Sequence, residues 1–347
     1  MKRTQSNEPV LRVLHVGVGN RGLWPIELCT PRTGFTPAAL CDVNPAALEV
    51  AREKTGLGPD VCFERYEDAL AAIDRGRLVV DCVIICAPTI FHVPYASLTV
   101  ERGLPVLTEK GMAPDWRGAL ELTRLAAARG AKVCVAQNYR YNAVERTIGR
   151  VLSDARHPAH PGPVHLVCYT QQRVRPLPRT LTYPFASVWD MSCHHFDNLS
   201  FWFGPIASTT AFAWGASWSA YEHPNNTSGH LVFEAGVRGH YIHTHDAARA
   251  GLEVQIHGER GALWLQEGKL TFSERPLEQF GERPVEPVPL IDAFGEADLL
   301  LDFHAYVTRG IEPGVSARHN LETMAACEMM VRSIVMGRTV TRAELDA

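Results

Sequence analysis

The chain has 347 residues, more than one compact hydrophobic core usually serves, so we expect two domains. Its composition, with 46% hydrophobic and 21% charged residues, is typical of a soluble globular protein. The formal net charge of -4 gives no basic surface for nucleic acid or acidic lipid, which excludes both as expected partners.

No sign of export or membrane insertion is visible. The stretch MKRTQSNEPV at the start has two basic residues but no apolar run after them, so we expect no secretory signal. We find no apolar stretch of bilayer-spanning length. The 9 cysteines lack regular spacing and fit free thiols better than a disulfide framework. We therefore expect a cytoplasmic protein without a membrane partner.

In the first half, short apolar runs alternate with helical patterns. Continuous apolar strands joined by helices predict a parallel sheet covered on both faces. We therefore predict an α/β fold with a doubly wound Rossmann domain over residues 9–137. The runs are LRVLHVGVG (11–19), AALCD (38–42), DCVIICAP (81–88), LPVLTEK (104–110) and KVCVAQ (132–137).

A glycine-rich turn, GVGNRG, follows the first of these strands. Gly17 would allow the tight turn, Gly19 the approach of a pyrophosphate, and Gly22 the close packing of the next helix. That helix would direct unpaired N–H groups at the phosphates, and Asn20 and Arg21 lie between the glycines. An ordinary turn is the alternative, but the position between a strand and a helix favours dinucleotide binding.

Asp42 favours NAD over NADP. It ends the second strand twenty residues after Gly22, where an acidic residue would hold a ribose 2′-OH. Its carboxylate would repel a 2′-phosphate, and the surrounding CDVNPAA contains no arginine. Arg21 and Arg52 are the residues that could reverse this preference.

Further polar residues cluster where the later strands end. Ligands of doubly wound sheets bind outside the carboxyl ends of the strands, so we expect these residues near the nicotinamide. A solvated loop or a helix cap is the alternative for any one of them. They are Pro88 and His92 in APTIFH, Glu109 and Lys110 in TEKG, and Asn138 and Arg140 in QNYRY.

The second half has a different pattern. ARHPAHPGP (155–163) breaks a helix and acts as a connector. The segment 229–245 predicts a hairpin, the segment 251–274 predicts three strands with glycine-containing turns, and two helices follow. We therefore predict an α+β domain over residues 138–340 with a large, mostly antiparallel sheet.

These motifs and their order resemble the Gfo/Idh/MocA oxidoreductases. GVGNRG with Asp42, APTIFH, TEKG, QNYRY, WDMSCHHFD and VRSIVMGRTV carry the resemblance, which extends from about residue 11 to 340. It implies a Rossmann domain and an open-faced sheet that often makes dimer contacts, hence a homodimer or homotetramer. It also implies a nicotinamide cofactor and a sugar or cyclitol substrate.

The resemblance also implies catalytic residues. The family's lysine, in a Glu-Lys-Pro motif, is similar to Lys110, and its aspartate and histidine are similar to Asp190 and His194. Gly111 departs from the usual proline, which makes the aim of Lys110 less defined. The glycines that often precede the aspartate are replaced by ASVW.

Helical periodicity separates the two adjacent histidines. If residues 190–203 form a helix, His194 shares a polar face with Asp190, Asp197 and Asn198, while His195 lies on the apolar face. A carboxylate one turn away can orient an imidazole for acid–base work. Packing alone is the alternative for His194, and it is the favoured interpretation for His195.

We expect no metal site. Adjacent histidines on a helix do not converge on one ion. His243 and His245 share one face of a strand, which leaves a metal site open, although polar residues facing a pocket or solvent are favoured. Tyr183 and Trp189 lie near the histidine helix, where aromatic faces could stack on a sugar.

The sequence therefore predicts an NAD-dependent dehydrogenase or reductase for a sugar, glycoside or cyclitol. Lys110, Arg140, Tyr183, Trp189 and His194 would contact the substrate. Its proton would leave to His194 or Lys110, with Asp190 orienting the histidine. A redox-neutral glycosidase or epimerase and a non-catalytic NAD(H) sensor are the alternatives.

Overall fold

The computed structural model describes residues 8–175, 184–276 and 284–345. These residues divide into two compact units. The first runs to Asn138 and includes Phe294–Leu321, and the second consists of Tyr139–Ala293 and the chain from Glu322 onward.

The segment Phe294–Leu321 belongs to the first unit, although the division made from the sequence places it in the second domain. Phe303 stacks on Phe35 with ring centroids 5.9 Å apart. The main-chain nitrogen of Val135 donates to the carbonyl oxygen of Val315 over 2.9 Å. The ring packing and the main-chain hydrogen bond explain why this segment belongs to the first unit.

In the described part of the chain, the first unit begins with six strands and five helices that alternate. The strands are β1 (Leu11–Val16), β2 (Phe35–Cys41), β3 (Cys62–Phe63), β4 (Cys82–Ile85), β5 (Val106–Thr108) and β6 (Val133–Val135). The helices are α1 (Leu23–Glu27), α2 (Pro45–Thr55), α3 (Tyr66–Asp74), α4 (His92–Glu101) and α5 (Trp116–Arg129).

All paired strands of this sheet are parallel, in the order β3-β2-β1-β4-β5-β6. This order is that of a Rossmann fold, so the predicted architecture is confirmed. Local signals set the helix ends: Asp115 caps α5 by accepting from the main-chain nitrogen of Gly118, and Gly130 ends α5 with positive φ. The two-residue strand β3 is too short to leave an apolar pattern in the sequence.

The second unit is built around a larger sheet. Its first elements are α6 (Ala143–Ser153), β7 (Val164–Val174), α7 (Cys193–Phe203), β8 (Ile206–Trp214), β9 (Asn226–Phe233), β10 (Arg238–Thr244), β11 (Asp246–Gly258), β12 (Gly261–Gln266), β13 (Lys269–Glu274) and β14 (Val285–Pro287). The described chain closes with α8 (Glu296–Arg309) in the first unit, then α9 (Ala317–Met336) and β15 (Val340–Thr341).

Nine strands form this sheet in the described residues, in the order β14-β13-β12-β11-β7-β10-β9-β8-β15. Strands β7 and β10 run parallel and the other described pairs are antiparallel, which confirms the predicted sheet. One face packs on α7, where the Phe196 ring lies 5.1 Å from that of Tyr241. The alternate side chains Phe212, Ile242 and Trp264 are exposed on the other face.

The helix expected over residues 190–203 begins differently. Val188–Ser192 form a π-helical segment, and regular α-helix runs over Cys193–Phe203, with Gly204 as its C-cap. Because a π-helix has more residues per turn than an α-helix, a wheel drawn at 100° per residue misplaces Asp190 relative to α7.

None of the helices in residues 8–175, 184–276 and 284–345 is long and apolar enough to cross a membrane.

Candidate active site

Two glycines of the loop after β1 are required by the backbone itself. Gly17 has φ +78°, and a Cβ on it would lie 2.7 Å from the main-chain nitrogen of Ala87. A Cβ on Gly22 would lie 1.8 Å from the carbonyl oxygen of Gly17. Any larger residue would therefore displace the turn, because neither contact can be relieved by rotating a side chain.

Gly19 has no such internal constraint. A Cβ there would make only ordinary contacts, at 3.7 Å from the Cβ of Ala47 and 3.9 Å from Oδ2 of Asp42. The fold itself therefore does not require glycine at this position, and the close approach of a pyrophosphate, as in Rossmann folds, is the reason we expect for it.

The helix that follows is shorter than the pattern predicts. Residues Asn20–Gly22 form a 3-10 turn, and α1 has only 5 residues. Asn20 itself has φ +33°, in the left-handed region that asparagine tolerates. The phosphate site predicted from the sequence therefore has only a short helix behind it.

Asp42 fixes this loop from the end of β2. Its Oδ2 accepts hydrogen bonds from the main-chain nitrogens of Val18 at 2.8 Å and Gly19 at 3.2 Å. Its Oδ1 accepts one from the nitrogen of Asn44 at 2.8 Å. Since a carboxylate offers about four acceptor positions, roughly one remains for a ribose hydroxyl.

Glu109 joins the end of β5 to the glycine-rich loop. Its buried Oε1 accepts hydrogen bonds from Nε of Arg21 and Nε1 of Trp24, both at 2.8 Å. Its Oε2 accepts from the main-chain nitrogen of Lys110 at 3.1 Å. Glu109 therefore fixes the backbone of Lys110, and the side chain of Lys110 is half-buried. The Lys110–Gly111 peptide bond is cis.

Glu296, at the start of α8, is a residue that sequence reasoning missed. Its Oε1 accepts from Nη2 of Arg21 at 2.6 Å and from Nδ2 of Asn138 at 3.0 Å. In the sequence it resembles an ordinary acidic residue in a first helical turn, so no pattern distinguishes it.

The two arginines that could have favoured NADP are both paired with carboxylates. Arg21 contacts Glu109 and Glu296, and Arg52 pairs with the exposed Glu49. A guanidinium held by a carboxylate offers fewer donors to a 2′-phosphate. These pairings therefore agree with the preference for NAD that Asp42 indicates.

His92 lies behind the strand ends rather than open to a ligand. Its Nδ1 is 2.7 Å from the carbonyl oxygen of Gly111, and its Nε2 is 2.7 Å from that of Ala87. Burial lowers the pKa of His92, so the ring is neutral and donates one hydrogen bond. His92 therefore positions the loops after β4 and β5, whereas Pro88 is exposed at the tip of the first.

In the second unit, His194 is buried against an aromatic ring. It stacks on Tyr139 with centroids 4.0 Å apart and planes 7° apart. The hydroxyl of Tyr139 accepts a hydrogen bond from Nη2 of Arg173 at 2.5 Å. The orientation of His194 is therefore fixed through Tyr139, a role that the sequence did not indicate.

The side chain of His195 contacts the nine-stranded sheet and not Tyr139. Helical periodicity predicts this difference, because it places the two histidines on different faces of the helix. Nδ1 of His195 lies 2.7 Å from the hydroxyl of Tyr241, which donates to Oγ of Ser192 at 2.7 Å. Oγ of Ser192 lies 3.1 Å from Nδ1 of His243. Burial lowers the pKa of both His195 and His243 well below the usual range, so this chain of contacts is uncharged near neutrality.

Arg140 has a partner that the sequence did not predict. It forms a bidentate ion pair with the buried Asp197, over 2.7 Å to Oδ2 and 2.8 Å to Oδ1. Thr323 also donates to that carboxylate, at 3.2 Å. The polar face of α7 is thus buried against other side chains, and the geometry gives Arg140 a structural role in place of the expected substrate contact.

Of the two aromatic residues expected to stack on a sugar, the structure describes only Trp189. Trp189 is buried in the second unit with 7% of its surface exposed, so its ring offers little area to a ligand. Tyr183 lies outside the described residues. Asp190 lies within the π-helical segment and is partly exposed.

No group of three or more histidine, cysteine, aspartate or glutamate side chains in the described ranges could hold a metal ion. His243 and His245 do lie side by side, with ring centroids 4.8 Å apart. Among the described residues, no third ligand lies with these two histidines. We therefore keep the interpretation that they are polar side chains facing a pocket or solvent.

Comparison with known proteins gives a family match for both units. Residues 11–137 match the family model described as an oxidoreductase family, NAD-binding Rossmann fold. Residues 171–264 match the model for the GFO/IDH/MocA C-terminal domain.

Full-length similarity extends to named proteins. Inositol 2-dehydrogenase of Arthrobacter sp. (strain FB24) is 26% identical over 336 residues, which cover 91% of this chain and 96% of that protein. The fold is similar to that of aldose-aldose oxidoreductase from Caulobacter crescentus complexed with glycerol, with a TM-score of 0.79, 18% identity and coverage of 95% and 99%. It is also similar to that of the WlbA dehydrogenase from Bordetella pertussis in complex with NADH and UDP-GlcNAcA, with a TM-score of 0.79, 20% identity and coverage of 95% and 98%.

Proposed function

Since the chain belongs to the GFO/IDH/MocA family of NAD-binding oxidoreductases, we propose that it oxidises or reduces a secondary alcohol of a sugar, glycoside or cyclitol. The observation that supports this proposal is that Lys110 and His194, which the family resemblance makes catalytic together with Asp190, are each held in position within their own unit. Glu109 fixes the backbone of Lys110, and Tyr139 fixes the ring of His194.

The cofactor site is assigned to the glycine-rich loop and to Asp42. The main chain at Gly19, where the fold itself does not require glycine, would take the pyrophosphate, and the remaining acceptor position of Asp42 would bind the ribose 2′-OH. Pairing of Arg21 and Arg52 with carboxylates supports NAD over NADP. When bound, NAD supplies the hydride acceptor or donor of the reaction.

The chain's own task is to position the alcohol and handle its proton. The ammonium of Lys110 would donate to the substrate oxygen or stabilise its developing charge. His194 would accept the proton on oxidation, and Asp190 would favour the protonated ring. The stacked ring of Tyr139 would keep His194 in one orientation while its charge changes.

The names of relatives support a polyol as the substrate. The relative from Arthrobacter is named for inositol, and the similar structure from Caulobacter crescentus is that of an enzyme for aldoses. We therefore assign the substrate to the sugars and cyclitols, which carry secondary alcohols.

The experiment is a substrate panel with NAD⁺, followed by absorbance at 340 nm. NADH formation with a member of the panel supports the dehydrogenase. Product formation without net NADH would replace it with the redox-neutral alternative. Tight NAD binding with no conversion of any sugar, glycoside or cyclitol would favour the sensor.

We also propose that a second copy covers the exposed face of the nine-stranded sheet, giving a homodimer or homotetramer. Phe212, Ile242 and Trp264 on three strands expose 65%, 43% and 39% of their surfaces there. Large apolar side chains exposed on one face of a sheet support an interaction site there. Light scattering should find an oligomer that Ile242→Glu weakens, and a monomeric wild-type chain would contradict this.

A further inference from the structure

Four basic or imidazole side chains lie where β7 and β10 end, two within the strands and two directly after them. We call Arg173, Arg175, His243 and His245 the strand-end basic cluster. The strands are parallel neighbours with His243 opposite Gln171, so His245 lies beside Arg173. The main-chain nitrogen of Arg175 also donates to the carbonyl oxygen of His245 at 3.0 Å. The cluster is therefore a fixed part of the sheet.

Both guanidiniums of the cluster have weak or neutral partners. Arg173 donates to the hydroxyl of Tyr139, and its buried Nε has no acceptor among the described residues. Nη2 of Arg175 is 3.3 Å from Sδ of Met191, and sulfur is a weak acceptor. Within residues 8–175, 184–276 and 284–345 neither arginine forms an ion pair. Two partly buried cations without a paired carboxylate are costly unless a ligand supplies negative charge.

The histidines add donors and acceptors without adding charge. His243 and His245 are buried, and Nε2 of His243 and both ring nitrogens of His245 have no partner in the described chain. Burial lowers the pKa of His245 to about 4, which leaves the ring neutral at pH 7. Neutral imidazoles of this kind suit hydroxyl groups, because each ring can donate one hydrogen bond and accept another.

The cluster also adjoins the groups assigned to proton handling. Arg173 contacts Tyr139, on which His194 stacks, and Arg175 contacts the residue after Asp190. Besides burial, the charges of Arg175 and Arg173 lower the pKa of His245, and the carboxylate of Asp190 raises it. A small molecule bound at the cluster would therefore lie beside His194.

We propose that the strand-end basic cluster binds the carboxylate of a sugar acid, with Arg173 and Arg175 pairing with the anion and His243 and His245 contacting its hydroxyls. This inference rests on the proposed function, because it names the substrate class for the same site. A carboxylate suits the cluster because planar guanidiniums bind it in a bidentate way.

The test compares acids with neutral sugars of matched shape by calorimetry on the NAD⁺-loaded full chain. The pairs are D-glucuronate with D-glucose, D-galacturonate with D-galactose, and D-gluconate with D-sorbitol. At least one acid should bind about tenfold tighter than its neutral partner, and added salt should reduce that preference. Equal or tighter binding of the neutral member in every pair, or no binding of any acid, would overturn the proposal.

Variants of Arg175 test the assignment to residues. Arg175→Met should weaken the preferred acid about tenfold or more and leave the neutral partner within about twofold. Arg175→Lys should restore part of the loss because the charge returns without the planar fork. Arg249→Met, at an exposed position of the same sheet, should bind like wild type. Equal losses for acid and neutral sugar in Arg175→Met would indicate a structural role and overturn the assignment.

The comparison in wild-type protein decides the proposal even if a variant does not fold. Absorbance at 340 nm separates its failure from that of the proposed function. If an acid binds tightly but yields no product or NADH, the proposal that the cluster binds a carboxylate stands and the proposed dehydrogenase activity is contradicted. If a neutral polyol is oxidised and no acid binds more tightly, the dehydrogenase activity stands and carboxylate binding at the cluster is contradicted.

Discussion

The imidazole of His194 lies flat against the phenol ring of Tyr139, with ring centroids 4.0 Å apart and planes 7° apart. This contact orients His194 from the side of the connector between β6 and α6. His195, one residue further, instead contacts Tyr241 of the sheet. The two adjacent histidines therefore have separate environments, and we expect separate effects when each is replaced.

His194→Ala should lower kcat by a factor of about 100 to 10,000, as is typical of a lost acid–base group, with NAD binding intact. His195→Ala should act mainly on stability, because it removes a fully buried ring and leaves the Tyr241 hydroxyl without that partner. Steady-state kinetics and thermal melting of both variants check this pair. Exchanged effects would contradict the roles assigned to the two rings.

Asp42→Ala should reduce the preference for NAD over NADP at least tenfold, about 1.4 kcal/mol. The carboxylate that repels a 2′-phosphate would be gone, and the bonds that hold the nitrogens of Val18 and Gly19 would be lost with it. Dissociation constants for the two cofactors measure the ratio. Glu121→Ala, which changes an exposed carboxylate of α5, is the control and should keep the wild-type ratio.

Asp197→Leu should lower the free energy of unfolding by about 3–5 kcal/mol, because the guanidinium of Arg140 would stay buried without its anion. The double variant Arg140→Met with Asp197→Leu should be less damaging than Asp197→Leu alone, since it removes both charges. Urea unfolding of the single and double variants measures the difference. A double variant less stable than the single one would show that the ion pair is not the main contribution.

Because the imidazole of His15 is buried, we expect the protein to lose stability in acid. Burial lowers its pKa to about 3, below the ordinary value of about 6.5 that it regains on unfolding. Its contribution is therefore complete above pH 6.5 and falls as the pH decreases towards 3, by about 1.4 kcal/mol per pH unit. His15→Leu should flatten the pH dependence of the urea midpoint between pH 6 and 4. His165→Leu, at an exposed position, should leave the slope as in wild type.

The sequence determined most of the fold because its signals are local. Apolar runs, the glycine spacing and the turn residues predicted the parallel sheet and the antiparallel one. Gly17 and Gly22 could be explained in advance, since their constraint comes from the turn in which they lie. The strand β3 escaped detection because two residues carry no periodicity.

The site was less predictable because its contacts join residues far apart in the chain. Arg140 pairs with Asp197, and Arg21 pairs with Glu296, across separations that no spacing rule covers. The π-helical segment before α7 also breaks the helical period, so the face of Asp190 could not be read from a wheel. The residues that follow the strand ends could be named from the sequence, but their partners required the fold.

The most direct test of the central claim is the rate of NADH formation at 340 nm by wild-type protein and by Lys110→Met, with a substrate taken from the panel. Methionine keeps the bulk of the lysine stem and removes its charge and its donors. The exposed Lys269→Met serves as the control and should be as active as wild type. We predict NADH formation by wild type, and by Lys110→Met a rate lower by a hundredfold or more, on the order expected for a lost acid–base group, with NAD affinity and melting temperature unchanged. Equal rates for wild type and Lys110→Met would contradict the account.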